Sequence, residues 1–178
     1  MSQARTLTDL LDRLARLHLA SRRDDALNPA QAAALDYLAR ANRFSRMPSA
    51  VADYLAATRG TVSQTLKALA AKGLIVEQAD PADGRARRYD LTDSGRALAA
   101  TLHEPPGLAL SADETAAAIA ALQTLLTGFL SARGGRSFGL CHSCRHHGAR
   151  NGAPYCRLLD LPLAGGEPDQ ICREHEAA

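Results

Sequence analysis

Tryptophan is absent from this sequence, and phenylalanine and tyrosine together supply seven of its 178 residues. So few aromatic faces leave little for unpaired bases to stack on, which makes duplex DNA a better candidate than any single-stranded nucleic acid. Cysteine is missing from the first 140 residues. Long apolar runs are missing too: none approaches the roughly 20 residues that cross a bilayer. Arg5, Asp9, Asp12 and Arg13 interrupt the N-terminal leucines, which does not fit a signal peptide. A cytoplasmic protein with no membrane partner is therefore expected. An excess of one charge is lacking as well, with 21 basic against 19 acidic residues. The length excludes two large domains and suits one domain with a small appendage. With 46% hydrophobic and 22% charged residues the chain should fold as a soluble globular protein. It carries no internal repeat and no low-complexity tract.

What is present is a succession of helical periods. Leu7, Leu10, Leu11, Leu14 and Leu17 follow amphipathic spacing and predict a helix from about Thr6 to Ser21. Asn28-Pro29 supplies an N-cap and a first-turn proline for a second helix, with Ala32, Leu35, Leu38 and Ala39 at helical spacing. Pro48-Ser49 opens a short third helix whose Val51, Ala52 and Leu55 face inward, and Gly60 is read as the tight turn that ends it. A fourth helix begins at Thr61, turns Val62, Leu66 and Leu69 inward, and stops at Lys72-Gly73. Leu74 to Glu77 and Arg87 to Leu91 read as two strands joined by the turn cluster at 80–84, with Arg85, Arg87 and Arg88 around the tip. A fifth helix runs from Thr92 to Leu102 until Pro105-Pro106. Ser111-x-x-Glu114 then caps a sixth, with Ile119, Leu122, Leu125, Leu126 and Phe129 expected inward. Gly134-Gly135 marks a boundary, giving a body over 1–134 and a loop-rich extension over 135–178.

Charge placement adds to this order. From Arg59 to Arg88 six basic residues face three acidic ones. Two short helices with a tight turn, the second polar and cationic outside, suit entry into a major groove, and arginines on a hairpin suit a minor groove or phosphates. Taken singly, each feature also fits an ordinary solvated surface. Their agreement over some 45 residues favours the DNA reading.

The stretch from Pro48 through Thr61-Val-Ser-Gln-Thr-Leu-Lys67 to Ile75, followed by Asp80-Pro-Ala-Asp-Gly-Arg-Ala-Arg-Arg-Tyr-Asp-Leu91, resembles the winged helix–turn–helix of the MarR (multiple antibiotic resistance regulator) family. The likeness spans residues 5–131. It implies a mainly α fold with a small β-wing and a helical dimerisation region. It also implies a homodimer bound to a pseudo-palindromic operator in double-stranded DNA, acting for the most part as a repressor. Thr61, Ser63, Gln64 and Lys67 would then face the major groove, Ser49 and Arg59 the backbone, and Arg85 and Arg87 the wing, with Asp83-x-Arg85 matching the family's wing motif. The early Pro105-Pro106 and the 43 residues after Gly135 depart from the family pattern.

All four cysteines fall in that extension, as Cys141-x2-Cys144-x11-Cys156-x15-Cys172, together with His142, His146, His147 and His175. In a reducing cytosol this spacing reads as a metal or cluster site. Four thiolates suit an iron–sulfur cluster, [4Fe-4S] in particular, or zinc. One close pair with two distant cysteines resembles the spacing in high-potential iron–sulfur proteins. The histidines read as surface residues, while Phe138, Leu140, Tyr155, Leu158, Leu159 and Ile171 are expected to shield the sulfurs. The leading expectation is a regulator, not an enzyme, whose cluster senses redox or iron state. The alternatives are the same regulator with a structural zinc and a small-molecule effector, a thiol oxidoreductase, or a protein-interaction module. The oxidoreductase would require a strand–helix–strand unit at Cys141.

Overall fold

A computed structural model of the chain describes residues 2–21, 26–79, 86–102 and 109–178. The expected turn at 80–84, Arg85 and Pro105-Pro106 lie outside the described residues. The body consists of α1 (Gln3–Ser21), α2 (Pro29–Arg40), a 3-10 turn (Arg43–Ser45), α3 (Pro48–Tyr54), α4 (Arg59–Ala71), β1 (Ile75–Ala79), β2 (Arg87–Leu91), α5 (Asp93–Thr101) and α6 (Ala112–Arg133).

Local chemistry sets these boundaries. Asn28 and Gln31 form a capping box at the start of α2, as Ser111 and Glu114 do for α6. At α4 the start signal is Thr58, whose hydroxyl accepts from the Thr61 N–H at 3.2 Å, so the helix begins at Arg59 rather than Thr61. Gly60 therefore lies inside the first turn of α4. The bend after α3 is made by Ala56, which adopts φ 50°. Gly73, at φ 69°, ends α4 in the left-handed conformation that the glycine was expected to supply.

The core is built around α2. Leu35, Tyr37 and Leu38 are fully buried, and Val51 of α3, Leu66 and Leu69 of α4, and Ile75 of β1 close over them. Alanines at 32, 34 and 41 keep α2 thin enough for its neighbours to approach. The wing is an antiparallel pair running from Ile75 opposite Leu91 to Ala79 opposite Arg87. The Tyr89 N–H donates to the Arg46 carbonyl at 2.9 Å, and Arg46 holds Asp90 at 3.0 Å, so the wing is tied to the segment before α3.

Two helices bury almost nothing within the chain. Leu7, Leu10, Leu14 and Leu17 of α1 are exposed, and so are Ile119, Leu122, Leu126 and Phe129 of α6. The inward face expected for α6 is thus largely an outward face in the single chain, with Ala118, Leu125 and Leu130 half-buried. The helix is also the one described segment long and apolar enough to cross a membrane, with a mean hydropathy of 1.5. This corrects the expectation that no such stretch exists: alanines interleaved with Ile119, Leu122, Leu125, Leu126, Phe129 and Leu130, rather than a continuous run of large side chains, make it apolar.

After Gly134, which caps α6 at φ 60°, the chain turns back onto the body. Phe138 packs edge-on against Tyr37 and Tyr54 at ring-centroid distances of 6.2 and 5.2 Å. The extension then forms β3 (Gly139–Leu140), β4 (His147–Arg150), β5 (Ala153–Cys156), β6 (Leu161–Pro162) and β7 (Ile171–Cys172). β3 pairs with β7, and β4, β5 and β6 make a small meander. Ile171 bridges to Ala41 at the end of α2, where the Asn42 N–H donates to the Ile171 carbonyl at 2.9 Å.

Candidate nucleic-acid interface and cysteine site

On α4, Val62, Leu66 and Leu69 point into the core, which leaves Arg59, Thr61, Ser63, Gln64 and Lys67 exposed on the opposite side. The helix N-terminus concentrates free N–H groups and partial positive charge beside Arg59, an arrangement that favours a phosphate. Met47, Pro48, Ser49, Arg59, Ala86 and Arg87 line one shallow groove, so α3, α4 and the wing present their polar residues together. Two of the expected contacts are partly engaged inside the protein. Thr61 Oγ1 shares a 2.9 Å hydrogen bond with Thr58, and Arg87 pairs with Glu77 at 3.2 Å. Both remain at the surface.

Ser49 has a partner that the sequence did not disclose. Its hydroxyl accepts from Arg173 Nη1 at 3.1 Å, and Arg173 Nη2 reaches Asp53 at 2.8 Å. Arg173 follows Cys172 directly, so the cysteine extension touches the helix–turn–helix itself.

The four cysteines are all buried and none forms a disulfide. Cys141, Cys156 and Cys172 share a small apolar cluster with Leu163, against which Phe44 and Leu159 pack. Burial first, and then the neighbouring Cys172, Cys156, Cys144 and Glu167, together push the Cys141 thiol up to about 11. Mutual influence among the four sulfurs places them in one electrostatic neighbourhood. N–H groups are also aimed at them: the Glu176 N–H donates to Cys144 Sγ at 3.4 Å, and the Glu174 N–H favours the Cys172 thiolate. Burial nevertheless leaves the Cys172 thiol raised on balance.

Among the described residues, no three His, Cys, Asp or Glu side chains are gathered closely enough to grip one ion. A tetrahedral zinc with bonds of about 2.3 Å would need its sulfurs within about 3.8 Å of each other. Buried thiols and N–H groups directed at sulfur suit thiolate ligands of a metal ion or of a cluster.

The shielding residues differ from those expected. Phe138 and Ile171 belong to the main core, and Leu140 and Leu158 are exposed. Tyr155 is buried and Leu159 packs as expected, while Leu163 and Phe44 complete the cover. Among the histidines, His142 lies 3.2 Å from Asp169 and His175 Nε2 meets Ser143 at 3.0 Å. The Nε2 of His147 is buried without a partner. Cys141 and Cys144 flank a 3-10 turn rather than the start of an α-helix between strands, so the geometry of a thioredoxin-type site is not present.

Asn42, Ser45 and Arg173 were not singled out in the sequence. Asn42 is buried at 1% exposure, and its Oδ1 accepts from Ser45 Oγ at 2.7 Å. That bond turns Nδ2 toward the Cys172 sulfur, too loosely for a formed hydrogen bond yet near enough to favour the thiolate. Ser45 Oγ in turn accepts from the Arg173 N–H at 2.9 Å. The contacts that Arg173 makes join residues 120 or more positions apart, and no local pattern announces them.

A helix, a turn, a second helix with its polar face outward and a two-stranded wing define a winged helix–turn–helix protein. Residues 27–86 match the profile of the MarR family. Among solved structures, BpsR of Bordetella bronchiseptica, described with the regulation of its DNA binding by 6-hydroxynicotinic acid, is 26% identical with a TM-score of 0.54, covering 67% of this chain and 98% of that one. A MepR–DNA complex from Staphylococcus aureus is 24% identical at a TM-score of 0.54, over 67% of this chain and 96% of that one. The reduced form of MarR from E. coli is 22% identical at 0.54, over 71% and 97%. No curated protein matches the chain.

Proposed function

We propose that the protein is a homodimeric transcriptional regulator that binds a pseudo-palindromic site in duplex DNA and carries an iron–sulfur cluster on its four cysteines. The observation that carries the DNA reading is the shared groove of Ser49, Arg59 and Arg87 beside the exposed polar face of α4. In this reading α4 enters the major groove, where Thr61, Ser63 and Gln64 meet base edges. Lys67, Arg59 and Ser49 hold phosphates, and Arg87, with Arg85 of the expected wing motif, contacts the flanking DNA. The exposed apolar faces of α1 and α6 are assigned to a second copy of the chain, which sets the distance between two recognition helices.

A cationic side chain on a phosphate releases counterions from the DNA, so removing that side chain flattens the salt dependence of binding. Replacing Arg59 and Lys67 together by alanine is expected to weaken binding uniformly across sequences. It should also lower the log–log salt slope by about 2. Fluorescence anisotropy over a salt series checks this, and an unchanged slope would remove both residues from the interface.

Cys141, Cys144, Cys156 and Cys172 are the residues that would hold the cluster, which when bound supplies one-electron redox chemistry. The protein's part is to bury the thiolates and to direct the Glu176 and Glu174 N–H groups at two of them. Protein purified without oxygen is expected to absorb broadly near about 400 nm and to contain iron and sulfide. A colourless protein with zinc and no iron would assign the site to zinc and return the effector question to a small molecule.

A further inference from the structure

The extension is fastened to the body at several places, through Phe138 against Tyr37 and Tyr54 and through Arg43, which holds Glu167 at 2.8 Å and the Pro162 carbonyl at 2.7 Å. The segment Ile171 to Arg173 is the one that reaches Ser49 and Asp53 of α3. The backbone of that segment takes the Asn42 N–H on the Ile171 carbonyl and gives the Arg173 N–H to Ser45 Oγ. The Arg173 guanidinium then spans one turn of α3, donating to Ser49 near its start and to Asp53 near its end, with Met47 Sδ at 3.3 Å from Nη1. The side chain is 17% exposed. Its Nε is buried with no acceptor. A guanidinium left partly unsatisfied is not arranged for maximal stability, and its two ends hold the helix that positions α4.

The other end of the segment is Cys172. The apolar cluster under the cysteines has few members, Leu163, Phe44 and Leu159 beside the thiols themselves. A module of about 40 residues with so small a core depends on a bound group for its order. Loss of that group therefore removes the restraint on Cys172 from the extension's side, and leaves the backbone at Arg173 held by the Asn42–Ile171 and Ser45–Arg173 contacts alone.

We propose that Arg173 is the positioning residue that couples occupancy of the cysteine site to DNA binding. With the site occupied, Arg173 holds α3 by Ser49 and Asp53 in the arrangement that presents Ser49 and α4 to DNA. With the site empty, the segment lets go of α3 and affinity falls. The route runs directly into the DNA-binding unit and does not require the dimer helices to move. This inference rests on the reading of the four cysteines as a ligand site. By linkage, DNA must in return tighten the protein's hold on the bound group at equilibrium.

The test uses the full-length protein purified without oxygen, the same protein stripped with a chelator and thiol reductant, and a duplex selected from a random pool. The variants are Arg173→Ala and Asp53→Asn, the second touching only the far end of the contact. Stripping should weaken DNA binding of the wild type at least tenfold. Each variant should retain its iron and sulfide content, bind DNA when loaded about as weakly as the stripped wild type, and show a loaded-to-stripped ratio near one. Added duplex should raise the chelator concentration at which half of the metal is removed from the wild type, and not from the variants. If loaded variants keep the wild-type ratio, Arg173 is not the coupling. If the wild type binds DNA equally well loaded and stripped, occupancy does not control DNA binding and the coupling falls with it. If no preparation binds iron or zinc, the ligand-site reading itself fails.

Discussion

Replacing Leu122 and Leu126 by glutamate is expected to leave each protomer folded and yet convert the protein to a monomer. Both side chains are more than half exposed in the single chain, at 53% and 55%, and no residue of α6 is buried, so the protomer loses little when they become polar. In a two-fold dimer each substitution counts twice. With about half of each leucine left for a partner to cover, its removal forfeits roughly 0.8–1.5 kcal/mol, the four in a dimer together about 3–6 kcal/mol, and the unpaired carboxylates add to that cost. That is enough to dissociate a dimer held at micromolar strength or somewhat tighter. A monomer reads one half-site, and its affinity for the full site should fall by at least about 100-fold, toward the level of non-specific binding. Sedimentation equilibrium and anisotropy titration on the same preparations check both effects. A variant that remains dimeric would remove α6 from the interface.

The second large effect is on stability. A methyl group at Gly95 would lie 1.9 Å from the carbonyl oxygen of Leu74 and 2.9 Å from its carbonyl carbon. Both atoms belong to the backbone, and neither can swing aside as a flexible side chain could. The same carbonyl already accepts from the Thr92 N–H at 3.0 Å, and Gly95 N donates to Thr92 Oγ1 at 3.0 Å, so α5 and the start of the wing are locked at this point. Gly95→Ala is therefore expected to cost at least about 3 kcal/mol, at or beyond the upper end of ordinary over-packing. Urea unfolding monitored by circular dichroism measures it, and a change below about 1 kcal/mol would show that α5 can shift off Leu74 freely.

Much of the body was legible because its signals are local. The Asn28-Pro29 and Ser111–Glu114 caps, the Val62, Leu66 and Leu69 period, and the terminal Gly73 each sit within a turn or two of what they determine. The exposed face of α4 followed from the same period. The start of α4 was misplaced because Gly60 looked like the turn, whereas the hydroxyl of Thr58 sets the cap and Ala56 makes the bend. For α6 the apolar face was readable but its destination was not, since periodicity cannot distinguish a side buried within the chain from one left for a partner. The cysteines announced themselves by spacing, yet the residues that address them did not. Asn42 and Ser45 look like ordinary polar residues after a helix, and Arg173 like one of many arginines, until the fold brings together positions 120 or more apart.

The bridge between Ala41 and Ile171 also has a consequence in time. Chain synthesis delivers α2, α3 and α4 long before β7, so a nascent helix–turn–helix emerges without the segment that braces it. The short loops of the body can close early, whereas this bridge must wait for a loop of well over a hundred residues to close. The brace on α3 is thus among the last contacts to form. A protease that trimmed the chain ahead of Ile171 would remove the brace and take Ile171 out of the main core, while leaving the recognition helix and the wing in the chain.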